Sequence, residues 1–101
     1  MNSDFFLVRR AKNGDPQAVD SLVRKYYDTI LNYCIYHLTD RHTAEDVAQE
    51  TFLTFFKVLP NYKHEGKLLN FLYTLARNKC NDERKRKRHT EVALDAVMDT
   101  A

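Results

Sequence analysis

The chain has 101 residues, of which 44% are hydrophobic and 30% charged, a balance typical of one globular domain and not of a disordered chain. No run of about 18 apolar residues predicts a transmembrane helix, and the N-terminal residues lack the basic segment of a secretory signal. We therefore expect a cytoplasmic protein that does not associate with membranes. Only two glycines and two prolines occur, which favours long helices joined by few turns.

Charge is distributed unevenly along the chain. The net charge of +2 is the balance of −2 in residues 1–56, +7 in residues 57–88 and −3 in residues 89–101. Such a division predicts separate surfaces for separate partners, and a strongly cationic segment suits a nucleic acid.

Two helices separated by a glycine are predicted first. Ser3 is the expected N-cap of a short helix, and Gly14 is expected to end it in a left-handed conformation. Asp15 then caps a second helix, because Pro16 suits the first helical position. This helix extends to about Leu38, since apolar residues recur along one face at three- and four-residue steps. They are Val19, Leu22, Val23, Tyr26, Tyr27, Ile30, Leu31 and Cys34.

The third predicted helix follows a turn at residues 39–42. Thr43 is the expected N-cap, with Asp46 three residues later in a capping-box arrangement and in the first helical turn. The helix ends before Pro60, whose ring disfavours a helical conformation in the preceding residue. Its expected core stripe is Val47, Ala48, Thr51, Phe52, Phe55 and Leu59. The apolar residues off that stripe are Leu53, Phe56 and Val58. A helix apolar on more than one face is either central in a bundle or covered by a partner.

A row of side chains on the third helix is spaced at steps of three, one and three residues. It consists of Asp46, Gln49, Glu50 and Leu53. On spacing alone, the solvated end of a central helix explains this row better than a binding surface does.

The segment at residues 61–67 contains Gly66 and is predicted to be a loop. Its candidate binding residues are Tyr62, Lys63, His64, Glu65, Gly66 and Lys67. Unpaired bases bind to such mixtures of aromatic and cationic groups by stacking and charge neutralisation. An ordinary connection between helices is nevertheless the simpler explanation.

The fourth predicted helix runs from about Leu68 to Arg88 and has two different faces. Its expected inward residues are Leu68, Phe71, Leu72, Leu75 and Ala76. The opposite side carries Asn70, Thr74, Arg77, Asn81, Arg84 and Arg88, flanked by Tyr73, Asn78 and Lys85. Asparagine and arginine can bind base edges, while arginine and lysine neutralise phosphates. The five consecutive cations at residues 84–88 also complement the helix dipole, so DNA binding and a solvated helix end are equally compatible with them.

Catalysis and metal binding are not predicted. His37 and His42 lack an HExxH context, and no serine or cysteine stands in a nucleophile motif. Cys34 and Cys80 are isolated in the sequence, and we expect both to be reduced and without metal. No catalytic residue, metal ligand or cofactor is assigned.

Two motifs resemble those of the sigma-70 superfamily, in region 2 of extracytoplasmic-function (ECF) RNA polymerase sigma factors. Residues 43–52, TAEDVAQETF, are similar to the family form AEDxxQETF. Residues 72–78, LYTLARN, are similar to WLYxIARN and precede a basic segment, as in the family. The order and spacing of the motifs make this resemblance specific. It implies an all-α, compact bundle of about four helices at residues 1–88, and a linker at residues 89–101 toward a −35-binding domain that this sequence does not contain.

The resemblance also implies a non-enzymatic function. The domain would bind bacterial core RNA polymerase and would recognise and melt the promoter −10 element. Asp46, Gln49 and Glu50, with Leu53 in the same row, would contact the clamp helices of the largest polymerase subunit. The loop at residues 62–67 would capture a flipped base of the −10 non-template strand, and the exposed face of the fourth helix would lie on promoter DNA. An anti-sigma factor is a further candidate partner.

Some residues depart from the family pattern. Phe71 stands where the family often has tryptophan and Leu68 where it often has phenylalanine, and both keep an apolar anchor. Residues 64–67 differ from the small and acidic residues common in the family, which leaves the preferred base open. Two alternatives also remain open. One is a polymerase or anti-sigma interaction module without transcription activity, and the other is a small helical protein that binds duplex DNA.

Overall fold

The computed structural model describes residues 4–100, with side chains described as far as residue 97. Helix α1 spans Asp4–Lys12, α2 spans Pro16–His37, α3 spans Arg41–Val58 and α4 spans Leu68–Thr100, with a short 3-10 turn at Leu59–Asn61. No strand occurs within residues 4–100, so the predicted all-α class is confirmed. None of the helices in this range is both long and apolar enough to cross a membrane.

The junction between α1 and α2 has the predicted geometry. Gly14 has a φ of 85°, and the Asp15 carboxylate accepts a hydrogen bond of 2.9 Å from the Gln17 N–H at the start of α2. Arg10 Nε donates to the same carboxylate at 2.8 Å. The predicted N-cap of α1, Ser3, lies outside the described residues.

The predicted start of α3 is wrong. Asp40, and not Thr43, caps this helix, because its carboxylate accepts hydrogen bonds from the backbone N–H groups of His42 and Thr43 at 3.2 and 3.3 Å. The Thr43 hydroxyl donates to the same carboxylate at 2.8 Å. These bonds, that of the Thr43 hydroxyl first, lower the pKa of Asp40. Asp46 consequently lies beyond the first turn and takes no part in a capping box.

The core lies where α2, α3 and α4 meet. The six residues of the predicted α3 stripe are all buried, as are three of the inward residues of α4. These three are Leu68, Leu72 and Ala76; Phe71 and Leu75 are partly buried against the same core. Within the described residues, the largest side chains with almost no exposure include Leu22 and Ile30 from α2 and Phe55 from α3. The helical periodicity therefore predicted the buried faces correctly.

Cys34 of α2 and Cys80 of α4 meet inside this core. Both are buried free thiols, and the two side chains lie within hydrogen-bonding reach of each other. Burial, with a smaller contribution from Cys80, raises the pKa of the Cys34 thiol to about 12. The two cysteines, isolated in the sequence, thus form one contact between α2 and α4.

Helix α4 is longer than predicted. It continues past Arg88 to Thr100, because no glycine or proline interrupts the sequence after Gly66. Residues 89–97 are all exposed, and this projecting segment contributes to a long molecular dimension of 61 Å. The expected domain boundary after residue 88 therefore falls within one continuous helix, and the linker role of residues 89–101 stays a prediction.

A buried carboxylate attaches α1 to α2. Asp4 is only 4% exposed, and it accepts a hydrogen bond of 2.6 Å from Lys25 Nζ and another from the Tyr26 hydroxyl. Burial raises the pKa of Asp4, but the bonds from Lys25 and Tyr26 outweigh it, so the pKa lies below its ordinary value of 3.8. Burial and the bond to Asp4 raise the pKa of Tyr26. The charged form of Asp4 thus stabilises the folded state.

We expect Asp4→Asn to lower the free energy of unfolding by about 1.5–3 kcal/mol at neutral pH, the usual range for a hydrogen bond to a charged group. The pKa of Asp4 is lower in the folded than in the unfolded state. The difference in unfolding free energy between the variant and wild type is therefore fully present above the ordinary carboxyl pKa, and it disappears as pH falls through the folded pKa. Urea denaturation across this pH range measures it. Asp20→Asn is the control, since the Asp20–Arg24 pair is exposed and contributes little. Equal stability of Asp4→Asn and wild type at neutral pH would contradict the assignment.

Candidate nucleic-acid interface

A cavity of about 570 Å³ opens between the loop at residues 62–67, the end of α3 and the first turns of α4. Its lining residues are Val58, Asn61, Tyr62, Lys63, Glu65, Lys67, Asn70, Phe71 and Thr74. The rings of Tyr62 and Phe71 have centroids 4.8 Å apart, and both pack on the buried Phe55 ring at 5.6 and 6.0 Å. The cavity therefore combines an aromatic wall, held by the core, with amide, ammonium and carboxylate groups.

Backbone geometry holds the loop over this cavity. The Tyr62 N–H donates to the Leu59 carbonyl at 3.0 Å, closing the 3-10 turn that follows α3. Gly66 has a φ of 80°, a left-handed conformation that favours glycine. The Lys67 carbonyl then accepts from the Phe71 N–H at 3.1 Å, in the first turn of α4.

Four of the six predicted loop residues line the cavity, namely Tyr62, Lys63, Glu65 and Lys67. His64 is partly buried, and its Nδ1 lies 3.3 Å from the Tyr62 hydroxyl. Burial, followed by the negative charges of Asp4 and Glu65, raises the pKa of Tyr62. His64 thus contacts Tyr62 and is not among the residues that line the cavity. Asn61, which the sequence analysis did not select, lines the cavity because the 3-10 turn ends there.

The predicted polar face of α4 is exposed along its length. All nine predicted residues are exposed except Tyr73, which is partly buried. The face begins at the cavity with Asn70 and Thr74 and extends to Arg88, about 27 Å farther along the helix at 1.5 Å per residue.

The cations at residues 84–88 differ in what they contact. Arg84 donates from Nη2 and Nε to the His37 carbonyl at 2.7 and 3.0 Å, and so binds the C-terminal end of α2, where carbonyls lack helical partners. Arg86 pairs with Glu83 at 2.6 Å, and Lys87 Nζ donates to the Thr39 hydroxyl at 3.1 Å. Lys85 and Arg88 make no side-chain hydrogen bond or ion pair with any residue that the structure describes. The basic run is therefore divided between structural and solvent-facing side chains.

The predicted row on α3 is also exposed. Asp46, Gln49 and Glu50 face solvent, and Leu53, the apolar member of the row, is 65% exposed. A large aliphatic side chain beside carboxylates and an amide resembles the apolar centre and polar rim of a protein interface.

One aromatic group was missed by the sequence analysis. Tyr33, Tyr36 and His37 of α2 form ring contacts that continue to Tyr73 of α4, and Tyr36 is 85% exposed. The available signal was their spacing of three and one residues near the end of α2, which places them on adjoining faces.

Together, the aromatic cavity and the polar face of α4 give this helical domain features of a nucleic-acid interface, and the row on α3 is a further exposed surface. Among the side chains that the structure describes, no three His, Cys, Asp or Glu residues are grouped as metal ligands would be.

Comparison with known proteins identifies the family. The model of sigma-70 region 2 matches residues 22–90, so the chain belongs to the sigma-70 region 2 family, as the two motifs predicted. It is 38% identical over 72 residues to the RNA polymerase sigma-H factor of Pseudomonas aeruginosa, covering 71% of the chain and 37% of that protein. It is 34% identical over 91 residues to the ECF RNA polymerase sigma factor SigW of Bacillus subtilis, covering 90% and 48%. The ECF RNA polymerase sigma factor BldN of Streptomyces coelicolor is 34% identical over 95 residues, covering 92% and 36%. The chain spans less than half the length of these relatives.

We expect Arg84→Ala to lower the free energy of unfolding by about 1 kcal/mol, because it removes the hydrogen bonds to the end of α2. Arg88→Ala is the matched control, and we expect its stability to stay within about 0.5 kcal/mol of wild type. Urea denaturation of the two variants measures the difference. Equal stabilities would show that the contact between Arg84 and His37 contributes nothing.

Proposed function

We propose that this chain is a sigma factor domain that binds core RNA polymerase and recognises and melts the promoter −10 element. The observation that carries the proposal is the aromatic-walled cavity that opens onto the polar face of α4. Relatives of the chain are named as RNA polymerase sigma factors, which supports the same function. In this proposal the protein acts by binding and makes or breaks no covalent bond.

Melting requires that the protein bind an unpaired strand better than the duplex. Extruding a base costs a few kcal/mol, and stacking on an aromatic side chain returns about 1–3 kcal/mol per base. The wall formed by Tyr62 and Phe71 offers such a stacking surface. Arg77, Lys85 and Arg88, exposed along α4, would supply phosphate contacts, whose strength falls steeply as salt increases.

The polar groups of the cavity would select the base. Asn61 and Asn70 each offer an amide donor and an acceptor, whereas Lys67 can only donate and an ionised Glu65 can only accept. Base edges differ in their patterns of donors and acceptors, so this set of groups can discriminate among them. The predicted role of His64 becomes indirect in this arrangement, through its contact with Tyr62.

The row on α3 would bind the polymerase. We expect the double variant Asp46→Lys and Glu50→Lys to weaken binding to core polymerase by at least about tenfold, because it reverses charge at an interface. The fold should survive, since both side chains are exposed. Titration of labelled chain with core enzyme measures the affinity. Glu91→Lys with Asp95→Lys is the matched control, because these two exposed acids have the same four-residue spacing. Unchanged affinity in the α3 variant would rule out this surface.

The cavity and the helix end should affect DNA binding differently. We expect Lys67→Ala to change the ranking of −10 strands by about 1–3 kcal/mol per wrong base. Arg88→Ala should weaken all sequences equally and lower the salt slope by about one unit. The measurement is binding of single-stranded −10 oligonucleotides at several salt concentrations, and a change of sequence preference in Arg88→Ala alone would reverse the two roles. Equal affinity of the wild type for duplex and single strand would favour a duplex-binding protein instead.

A further inference from the structure

A line of aromatic rings crosses from α2 to α4 outside the cavity. The ring of Tyr36 meets that of His37 at 5.1 Å, His37 meets Tyr33 at 4.3 Å, and Tyr33 meets Tyr73 of α4 at 5.3 Å. We call these four residues the aromatic ledge. Its inner members are partly buried, whereas Tyr36 at its outer end is 85% exposed.

The ledge adjoins the cationic side of α4. The Arg84 guanidinium lies against the His37 ring, with Nη2 3.1 Å from Nδ1. Arg77 is exposed one helical turn after Tyr73, so it stands on the same side of α4 as the ring. His37 and Arg84 also line a second cavity, of about 930 Å³, together with Lys85 and Arg88. An anionic ligand at the His37 end of the ledge would therefore meet the cations of this cavity, which is also lined by Asp40, Glu83 and Glu91.

Core packing does not explain the outermost ring. Tyr36 lies outside the hydrophobic core and the residues packed against it, and its one ring contact within the described structure is with His37. A ring so exposed leaves most of its face to water. The ring reaches the cations through His37, which contacts Arg84. Proteins bind unpaired bases with exposed rings near cations, since the base stacks on the ring while the phosphates meet the charges.

We propose that the aromatic ledge stacks an unpaired base of a single-stranded nucleic acid, with Tyr36 as the stacking surface and Arg77, Lys85 and Arg88 near its phosphates. This is a second subsite, since none of the four ledge residues lines the 570 Å³ cavity. It rests on the proposed function only for the identity of the strand. The stacking itself belongs to the isolated chain and can be measured without polymerase.

The test is fluorescence anisotropy with a short labelled single strand of mixed sequence and with the matching duplex, using the full chain. We expect the Tyr36→Ala variant to bind the single strand at least about fivefold more weakly than wild type, because one stacked base is lost. Its salt slope should be unchanged, because no phosphate contact is lost. Tyr36→Phe keeps the ring and should stay within about twofold of wild type, as should duplex binding by Tyr36→Ala. Phe6→Ala is the matched control, since Phe6 is 55% exposed but lies on α1.

Several results would overturn the proposal that the aromatic ledge stacks a base. Unchanged single-strand binding by Tyr36→Ala would do so, as would immeasurable binding by the wild type. Equal losses in Tyr36→Ala and Tyr36→Phe would indicate a hydrogen bond from the hydroxyl and not stacking. Weakened binding to core polymerase with intact single-strand binding would make Tyr36 a protein contact. Failure of the wild type to bind core polymerase would instead defeat the proposed function, while the single-strand measurements would still decide the ledge.

Discussion

The packing of α4 along α2 determines which side chains the protein presents to a ligand. Successive helical residues are separated by about 100°, so a rotation of α4 by one residue would replace its exposed row with a different set. Contacts at three positions along α4 oppose such a rotation. Tyr73 meets Tyr33, Cys80 meets Cys34, and Arg84 binds the His37 carbonyl. The first is a contact between aromatic rings, the second is a contact between buried thiols and the third is a set of hydrogen bonds. The rotation of α4 is therefore fixed by the chemistry of these contacts as well as by their shape.

Small side chains allow the helices of this bundle to approach closely. Within the described core, the smallest buried side chains are Ala11, Ala18, Ala44, Ala48, Ala76, Cys34 and Cys80. The distance between packed helices depends on the side chains at their contact, and a larger residue at the Cys34–Cys80 contact would separate α2 from α4. That separation would also lengthen the reach from Arg84 to His37. The thiols thus matter for spacing, and burial raises the pKa of both.

Features set by neighbouring residues could be predicted from the sequence, whereas those set by distant ones could not. Gly14, Asp15 and Pro16 act within one turn, and the apolar stripes follow helical periodicity, so these elements were correct. The predicted start of α3 was wrong because Asp40 and Thr43 are both residues that favour the N-cap position. Which of them caps the helix depends on the path of the backbone before it. Much of the candidate site could also be predicted, since the cavity is bounded by the predicted loop and the start of α4. The contact between Arg84 and His37 joins residues that are 47 positions apart, so it could not be predicted from a local sequence pattern.

Contacts with residues distant in the sequence also divide the five consecutive cations at residues 84–88 into different groups. At about 100° per residue they cannot form one patch, and the structure gives them different surroundings. Arg84 and Lys87 bind the end of α2 and the connection that follows it, while the pKa of Arg86 is raised by Glu83 and, more weakly, by Glu50 of α3. Counting all five as phosphate contacts would therefore overstate the counterions released on DNA binding. The number that governs salt dependence is the number of cations that reach phosphates. On this chain those candidates are Lys85 and Arg88 from the run and Arg77 before it, which face solvent along the side of α4 that begins at the cavity.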